Sequence, residues 1–224
     1  MTVGAYAAIL FFGSYYIGSG FHIPIICKAY TDQREVALTF DDGPVEKNTS
    51  IILDILKKNN IQAAFFCIGK RMNINNSLVH RINEEGHIIG NHSYSHHFFF
   101  DLFSKNKMLG ELRETNKIAQ AIIHKNLALF RPPYGVTTPV LAKAIKQGGL
   151  TPIGWSLRSM DTTIKDKNRL VNKINNNIKP GDVLLMHDSA DVTAECLQEI
   201  IDSVSRKGFK FVRLDRLLKI QAYV

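Results

Sequence analysis

After Lys28 the chain alternates between short apolar or β-branched runs and longer stretches with helical spacing. The short runs fall at Glu35–Phe40, Ala63–Ile68, His87–Asn91, Ala128–Arg131, Thr151–Ser156, Asp182–Met186 and Lys210–Val212, and their length and composition predict strands. Between them, Ile51, Ile52, Ile55 and Leu56 share one helical face, as do Leu78, Val79 and Ile82. Val140, Leu141, Ala144 and Ile145 repeat the pattern, followed by Leu170, Val171, Ile174 and Ile178, then Leu197, Ile200, Ile201 and Val204. Gly86, Gly148 and Gly208 each follow such a stretch, where a left-handed helix end would fall. Seven strands alternating with helices predict an α/β fold with parallel strands, either an open sheet or a barrel. The connection Phe98–Ala128 is longer than its neighbours and predicts an extra helix or loop over one end of the strands.

The first 27 residues differ from the rest. Met1–Cys27 holds no Asp, Glu, Lys or Arg. A membrane helix needs about 20 apolar residues, a length this run reaches only by including Gly13, Ser14, Gly18, Ser19 and Gly20. We therefore divide the chain into an apolar segment, residues 1–28, and a catalytic-sized domain, residues 29–224. The segment is expected to associate with a membrane through residues 3–27. Its alternatives are a buried helix followed by a strand at Phe21–Cys27, or a cleaved signal, although a signal would carry a positive start.

Composition narrows the function more than the fold. The 224 residues are 45% hydrophobic and 21% charged, as expected of a folded core. Three cysteines, Cys27, Cys67 and Cys196, are too few and too scattered for a disulfide scaffold or a cysteine-based zinc module. The net charge of +8 admits an anionic partner. The basic residues are spread out, however, and no nucleic-acid motif is present, so nucleic acid is not an expected partner.

Candidate chemistry collects at the carboxyl ends of the predicted strands, where parallel α/β folds place their sites. Asp41 and Asp42 end the first strand at a Gly-Pro turn, a pair in which one carboxylate can take a cation while the other stays free as a base. His92 and His96 follow the third strand at a spacing that lets two rings converge on one ion. With Asp42 they form a two-histidine, one-carboxylate set that suits Zn²⁺, with Co²⁺, Mn²⁺ or Fe²⁺ as alternatives. Arg131 ends the fourth strand and is placed to hold the free aspartate by a bidentate contact. The following prolines stiffen a loop able to present the Tyr134 N–H to an oxyanion. His187 ends the sixth strand with Leu185 on the same side, an apolar wall beside a proton donor, and Asp161 is a candidate partner raising the His187 pKa.

The motifs T-F-D-D-G-P (39–44), H-S-Y-S-H (92–96), R-P-P-Y (131–134) and L-L-M-H (184–187), in this order, resemble those of the polysaccharide deacetylases of carbohydrate esterase family 4. The resemblance spans about Val36 to Val212. It implies a distorted (β/α)7 barrel and metal-dependent removal of acetyl groups from amino-sugar polymers of peptidoglycan or chitin type, or from acetylxylan. It further implies Asp41 as base, Asp42, His92 and His96 as metal ligands, and Arg131 as tether of the base. Tyr134 would be the backbone oxyanion donor, Leu185 a wall of the methyl pocket, His187 the acid and Asp161 its tuning carboxylate. A substrate of this kind implies a place at the cell envelope. One stretch departs from the family pattern: Arg158 stands where many members have Asp, and Thr162 where Trp often follows the aspartate. Two competing readings are a metal hydrolase of phosphate esters, which lacks its Gly-rich loop here, and a silent glycan-binding relative.

Overall fold

The computed structural model describes residues 3–224. It opens with helix α1 (Val3–Tyr15) and a 3-10 turn (Ile17–Ser19). The strands are β1 (Glu35–Asp41), β2 (Ala64–Cys67), β3 (Ile88–Asn91), β4 (Leu129–Phe130), β5 (Thr151–Pro152), β6 (Leu157–Arg158), β7 (Val183–His187) and β8 (Lys210–Phe211). The helices between them are α2 (Glu46–Lys58), α3 (Gly69–Ile74), α4 (Asn76–Glu84), α5 (Lys105–Ile123), α6 (Pro139–Gly148), α7 (Lys167–Asn177) and α8 (Asp191–Arg206), with α9 (Leu214–Leu218) last.

All strand pairs are parallel, in the order β5-β4-β3-β2-β1-β7-β6, with β8 also paired to β1. The two ends of this path, β5 and β6, are separated in sequence by only residues 153–156. So short a link forces the sheet to curl until its edges approach, giving the distorted (β/α)7 barrel. Alternation along each strand sorts the side chains. Val36, Leu38 and Phe40 of β1 and Leu184 and Met186 of β7 face the helices, packing with Ile52, Leu56, Leu197 and Ile200. Ala37 and Val183 face the opposite way, with Ala64, Phe66 and Leu129. By the same period of two, Thr39 and Asp41 on β1 and Leu185 and His187 on β7 belong to the inner face. Helix ends follow from local chemistry: the Thr138 hydroxyl accepts from Leu141 N–H ahead of Pro139, and Asp166 caps α7 through Arg169 N–H.

Several expectations need correction. The fifth predicted strand, Thr151–Ser156, is in fact β5 followed by a turn, and β6 is an additional two-residue strand. Asp161 therefore follows β6 rather than the fifth strand. Gly86 and Gly208 are left-handed as expected, but α6 ends on left-handed Gly149, not Gly148. Ile51 and Val140 lie on the solvent side of their helices. The long connection Phe98–Ala128 holds a 3-10 turn (Phe100–Leu102) and α5, but α5 is the ordinary crossover from β3 to β4, packed against α3, α4 and α6, and not an extra helix over one end of the strands.

The apolar N-terminal run is divided differently from either a single spanning helix or a helix and strand. Among the described residues no helix is long and apolar enough to cross a membrane. Helix α1 has 13 residues, about 20 Å at 1.5 Å per residue against the roughly 30 Å of a bilayer core. Beyond it, residues 26–29 run along the seam between β5 and β7. Ile26 N–H donates to Pro152 O at 3.2 Å, Gly154 N–H to Ile26 O at 2.9 Å, and Ala29 N–H to Gly181 O at 2.9 Å. No strand forms at Phe21–Cys27; Ile26 makes only an isolated bridge to Ile153.

Candidate active site

The β1–β7 register sets Asp41 opposite His187. Asp41 is buried, and Arg131 Nη1 donates to its Oδ1 at 2.6 Å. The contact is single, not the bidentate one anticipated, because the other guanidinium donors are engaged elsewhere. Nη1 also reaches Thr39 Oγ1 at 2.8 Å, Nη2 reaches Gly154 O at 2.8 Å and Nε reaches Ile153 O at 3.3 Å. The fully buried guanidinium lies 4.0 Å from the centroid of Phe66. Burial lowers its pKa while Asp41 opposes the fall.

One residue on, the backbone reverses. Asp42 has φ 76°, a left-handed conformation that turns its carboxylate to the side of the two histidines, and Arg71 Nη1 donates to its carbonyl at 2.6 Å. Asp42 Oδ1 lies 3.5 Å from His92 Nε2 and 3.4 Å from His96 Nε2. The histidines sit on a tight loop rather than a helical turn. Ser93 and His96 are both left-handed. Asn91 Oδ1 accepts from Ser93 N–H at 2.9 Å, Ser93 Oγ from His96 N–H at 3.1 Å, and Glu111 Oε2 from Ser95 N–H at 2.7 Å. His92 Nδ1 is 2.7 Å from Arg131 O. A carbonyl only accepts, so Nδ1 carries the proton and Nε2 is left as a lone-pair donor toward Asp42.

One ligand atom from each of Asp42, His92 and His96 lies within 4.8 Å of the others. Tetrahedral ligands at 2.0–2.1 Å from a zinc ion stand about 3.3–3.4 Å apart, close to the two Asp42 separations, so this donor set fits a divalent cation. Burial would raise the Asp42 pKa, but contact with His92, and the neighbouring His96 and His187, hold it well below the carboxylate range. Burial and neighbouring His92 press His96 down to about 4, which keeps it neutral for ligation.

Across the cavity, His187 Nδ1 meets Asp161 Oδ1 at 2.8 Å. The other oxygen of Asp161 accepts from His187 N–H and from Thr193 Oγ1, both at 2.6 Å. Burial would lower the His187 pKa; the bond and charge of Asp161, with Asp41 and Asp42 behind it, raise it instead.

Of the anticipated residues, Asp41, Asp42, His92, His96, Tyr134, Leu185 and His187 line one cavity of about 220 Å³, joined by Trp155, Arg158 and Thr162. Arg131 and Asp161 are fully buried beneath it. Tyr134 is left-handed, with φ 59°; its ring packs 4.7 Å from His96, and its N–H bonds to none of the described residues. His97 stays outside, exposed and 5.1 Å from the Phe103 ring.

Asp188 was not anticipated. Fully buried, it receives Thr49 Oγ1 on Oδ2 at 2.6 Å, while its Oδ1 has no partner among the described residues. Burial pushes its pKa up to about 7. A Cβ on Gly43 would fall 1.9 Å from Asp188 Oδ2, so this acid supports the turn that carries Asp41 and Asp42. Its only sequence signal is its position directly after His187.

Comparison with known proteins agrees with this geometry. The family model described as polysaccharide deacetylase matches residues 28–153, more than half of the chain. The peptidoglycan-N-acetylglucosamine deacetylase PgdA of Listeria monocytogenes is 33% identical over 202 residues, which cover 90% of this chain and 42% of that protein. The chain thus spans about two-fifths of that relative's length. A peptidoglycan-N-acetylglucosamine deacetylase of Bacillus cereus is 32% identical over 193 residues, covering 84% of this chain and 90% of the relative. The crystal structure of the Bc1960 peptidoglycan N-acetylglucosamine deacetylase aligns with a TM-score of 0.83 and 30% identity, over 88% of this chain and 94% of that one. Barrel, motif order and relatives converge: the chain belongs to the polysaccharide deacetylase family, carbohydrate esterase family 4.

Proposed function

We propose that the chain is a zinc-dependent hydrolase that removes N-acetyl groups from the amino sugars of a peptidoglycan-type polymer at the cell envelope. The observation that carries this reading is the pairing of two carboxylates with different duties. Asp42 faces two imidazole nitrogens, while Asp41, 3.9 Å from His92 Nε2, is tied to Arg131 instead.

Asp42, His92 and His96 would hold the ion, which when bound supplies Lewis-acid polarisation of the acetyl carbonyl and acidifies a water. Asp41 takes the proton of the attacking water, with Arg131 fixing its orientation. The free N–H of Tyr134 donates to the oxyanion as the carbonyl becomes tetrahedral. His187 gives its proton to the departing amine nitrogen, which is otherwise a poor leaving group, and Asp161 holds the imidazolium that makes this possible. Leu185, 2% exposed, supplies an apolar wall for the acetyl methyl. The sugar and bond type are supported by the relatives' named activities.

The test is acetate release, measured side by side on N-acetylglucosamine oligomers, peptidoglycan and acetylxylan. Activity on the first two that is lost with a chelator and restored by zinc is expected. Protein that holds the ion yet frees no acetate from any of them would overturn the reading, and release of phosphate from phosphate esters would replace it.

A further inference from the structure

A cavity of about 750 Å³ adjoins the active-site cavity, and Trp155 and Arg158 line both. One wall is the N-terminal segment, with Tyr15, Tyr16 and Lys28; the other is Trp155, Ser156 and Arg158 at β6, and Lys179 and Asp182 complete it. A volume of this order holds a small ligand or sugar unit. The chain builds the wall deliberately: Gly154 N–H bonds Ile26 O, and a Cβ on Gly154 would lie 2.6 Å from Cys27 Sγ. Trp155 is seated on Gly135, where a Cβ would fall 2.5 Å from its ring.

Charge and surface give the cavity a preference. Lys28, Arg158 and Lys179 are exposed, and none forms an ion pair with the described residues. The carboxylate among them, Asp182, is 6% exposed and already engaged: Ser156 Oγ donates to Oδ1 at 2.7 Å and Lys179 N–H to Oδ2 at 2.8 Å. Three cations are therefore left to an outside anion. Aromatic surface accompanies them, with Tyr15 58% and Tyr16 55% exposed and the Lys28 ammonium 4.8 Å from the Tyr30 centroid. Flat rings take the C–H faces of sugars, and a guanidinium takes a carboxylate by paired hydrogen bonds.

We propose that this cavity is a second glycan subsite that receives a carboxylate-bearing sugar next to the unit held in the active-site cavity, with Arg158 on the shared rim reading the carboxylate. The inference rests on the acetylated-glycan reading above and adds what must adjoin the reacting sugar.

Trp155 is the only tryptophan in the chain, so fluorescence excited at the indole band reports binding at the rim without catalysis. A peptide-free tetrasaccharide of alternating N-acetylglucosamine and N-acetylmuramic acid is titrated against the same molecule with its carboxyls converted to methylamides. We expect the carboxylate form to bind about tenfold more tightly at low salt, the range between an exposed ion pair and a charge-assisted hydrogen bond. The preference should fall toward one in high salt, in Arg158→Ala, and in part in the Lys28→Ala, Lys179→Ala double variant. Equal affinities in the wild type, or a full preference surviving all three substitutions, would overturn the subsite. Acetate release from neutral N-acetylglucosamine tetramer separates the two claims. Deacetylation of the tetramer without a carboxylate preference refutes the subsite alone, and a preference with no acetate from any glycan refutes the deacetylase reading alone.

Discussion

Arg131→Met tests whether Asp41, the proposed base, is held by a buried charge or merely sits near one. The Arg131–Asp41 pair is sealed from solvent, with side chains 0% and 4% exposed and the atoms 2.6 Å apart. Methionine replaces much of the volume but none of the donors, leaving Asp41, Thr39 Oγ1 and the carbonyls of Ile153 and Gly154 without the bonds they receive. Removing one partner of a buried pair costs about 3–5 kcal/mol. At about 2–4 °C per kcal/mol for a chain of this size, the charge effect alone lowers the melting temperature by roughly 6–20 °C. Asp41→Asn in the same background removes the stranded charge, so the double variant should melt above Arg131→Met, a coupling that independent sites do not show. Asp41→Asn alone should stay folded and lose about 10²–10⁴-fold in turnover. Thermal unfolding of the four proteins by circular dichroism, beside acetate release, measures both effects. A Tm for Arg131→Met within about 2 °C of wild type, or a double variant losing the sum of the single losses, would refute the reasoning.

The other predictions concern neighbouring groups. Asp161→Asn takes away the main interaction raising the His187 pKa, so the alkaline limb of the kcat/KM profile should move to lower pH; an unmoved limb would separate His187 from the acid role. A raised histidine value stabilises the fold below its unfolded value near 6.5, and a depressed carboxylate value, as at Asp161, stabilises it above about 3.9. The Tm gap between wild type and Asp161→Asn should therefore be widest between about pH 4 and 6.5, closing in acid and as pH rises through the folded His187 value. His92→Ala should leave the purified protein with little bound metal by elemental analysis, and full stoichiometric zinc would remove His92 from the donor set. Gly43→Ala places a methyl 1.9 Å from Asp188 Oδ2, and should cost about 1–3 kcal/mol by overpacking together with activity; a wild-type melt and rate would show the turn to be tolerant.

What the sequence disclosed and what it hid divide along a physical line. Alternation in β1, with Val36, Leu38 and Phe40 set against Ala37, Thr39 and Asp41, is local and legible, and so is the pair of imidazoles four apart. The facing of Asp41 and His187 is a matter of register between strands some 145 positions apart, visible only by way of family motifs. β6 escaped because two residues carry no period, and Asp188 because burial of an acid leaves no pattern. In the charge-free N-terminal run, hydropathy alone does not mark off helix α1 from residues 26–29, which lie along the barrel seam beside Ile153 and Gly154. Arg131 shows why fold and site were so hard to part. Its donors go to the seam carbonyls of Ile153 and Gly154 on one side and to Asp41 on the other. The residue that orients Asp41 thus also ties down the turn by which the sheet curls shut. A substitution there should therefore degrade barrel closure and the placement of Asp41 together, whereas one at Asp161 should act at His187 and Thr193 and leave the seam carbonyls and Asp41 bonded as they are.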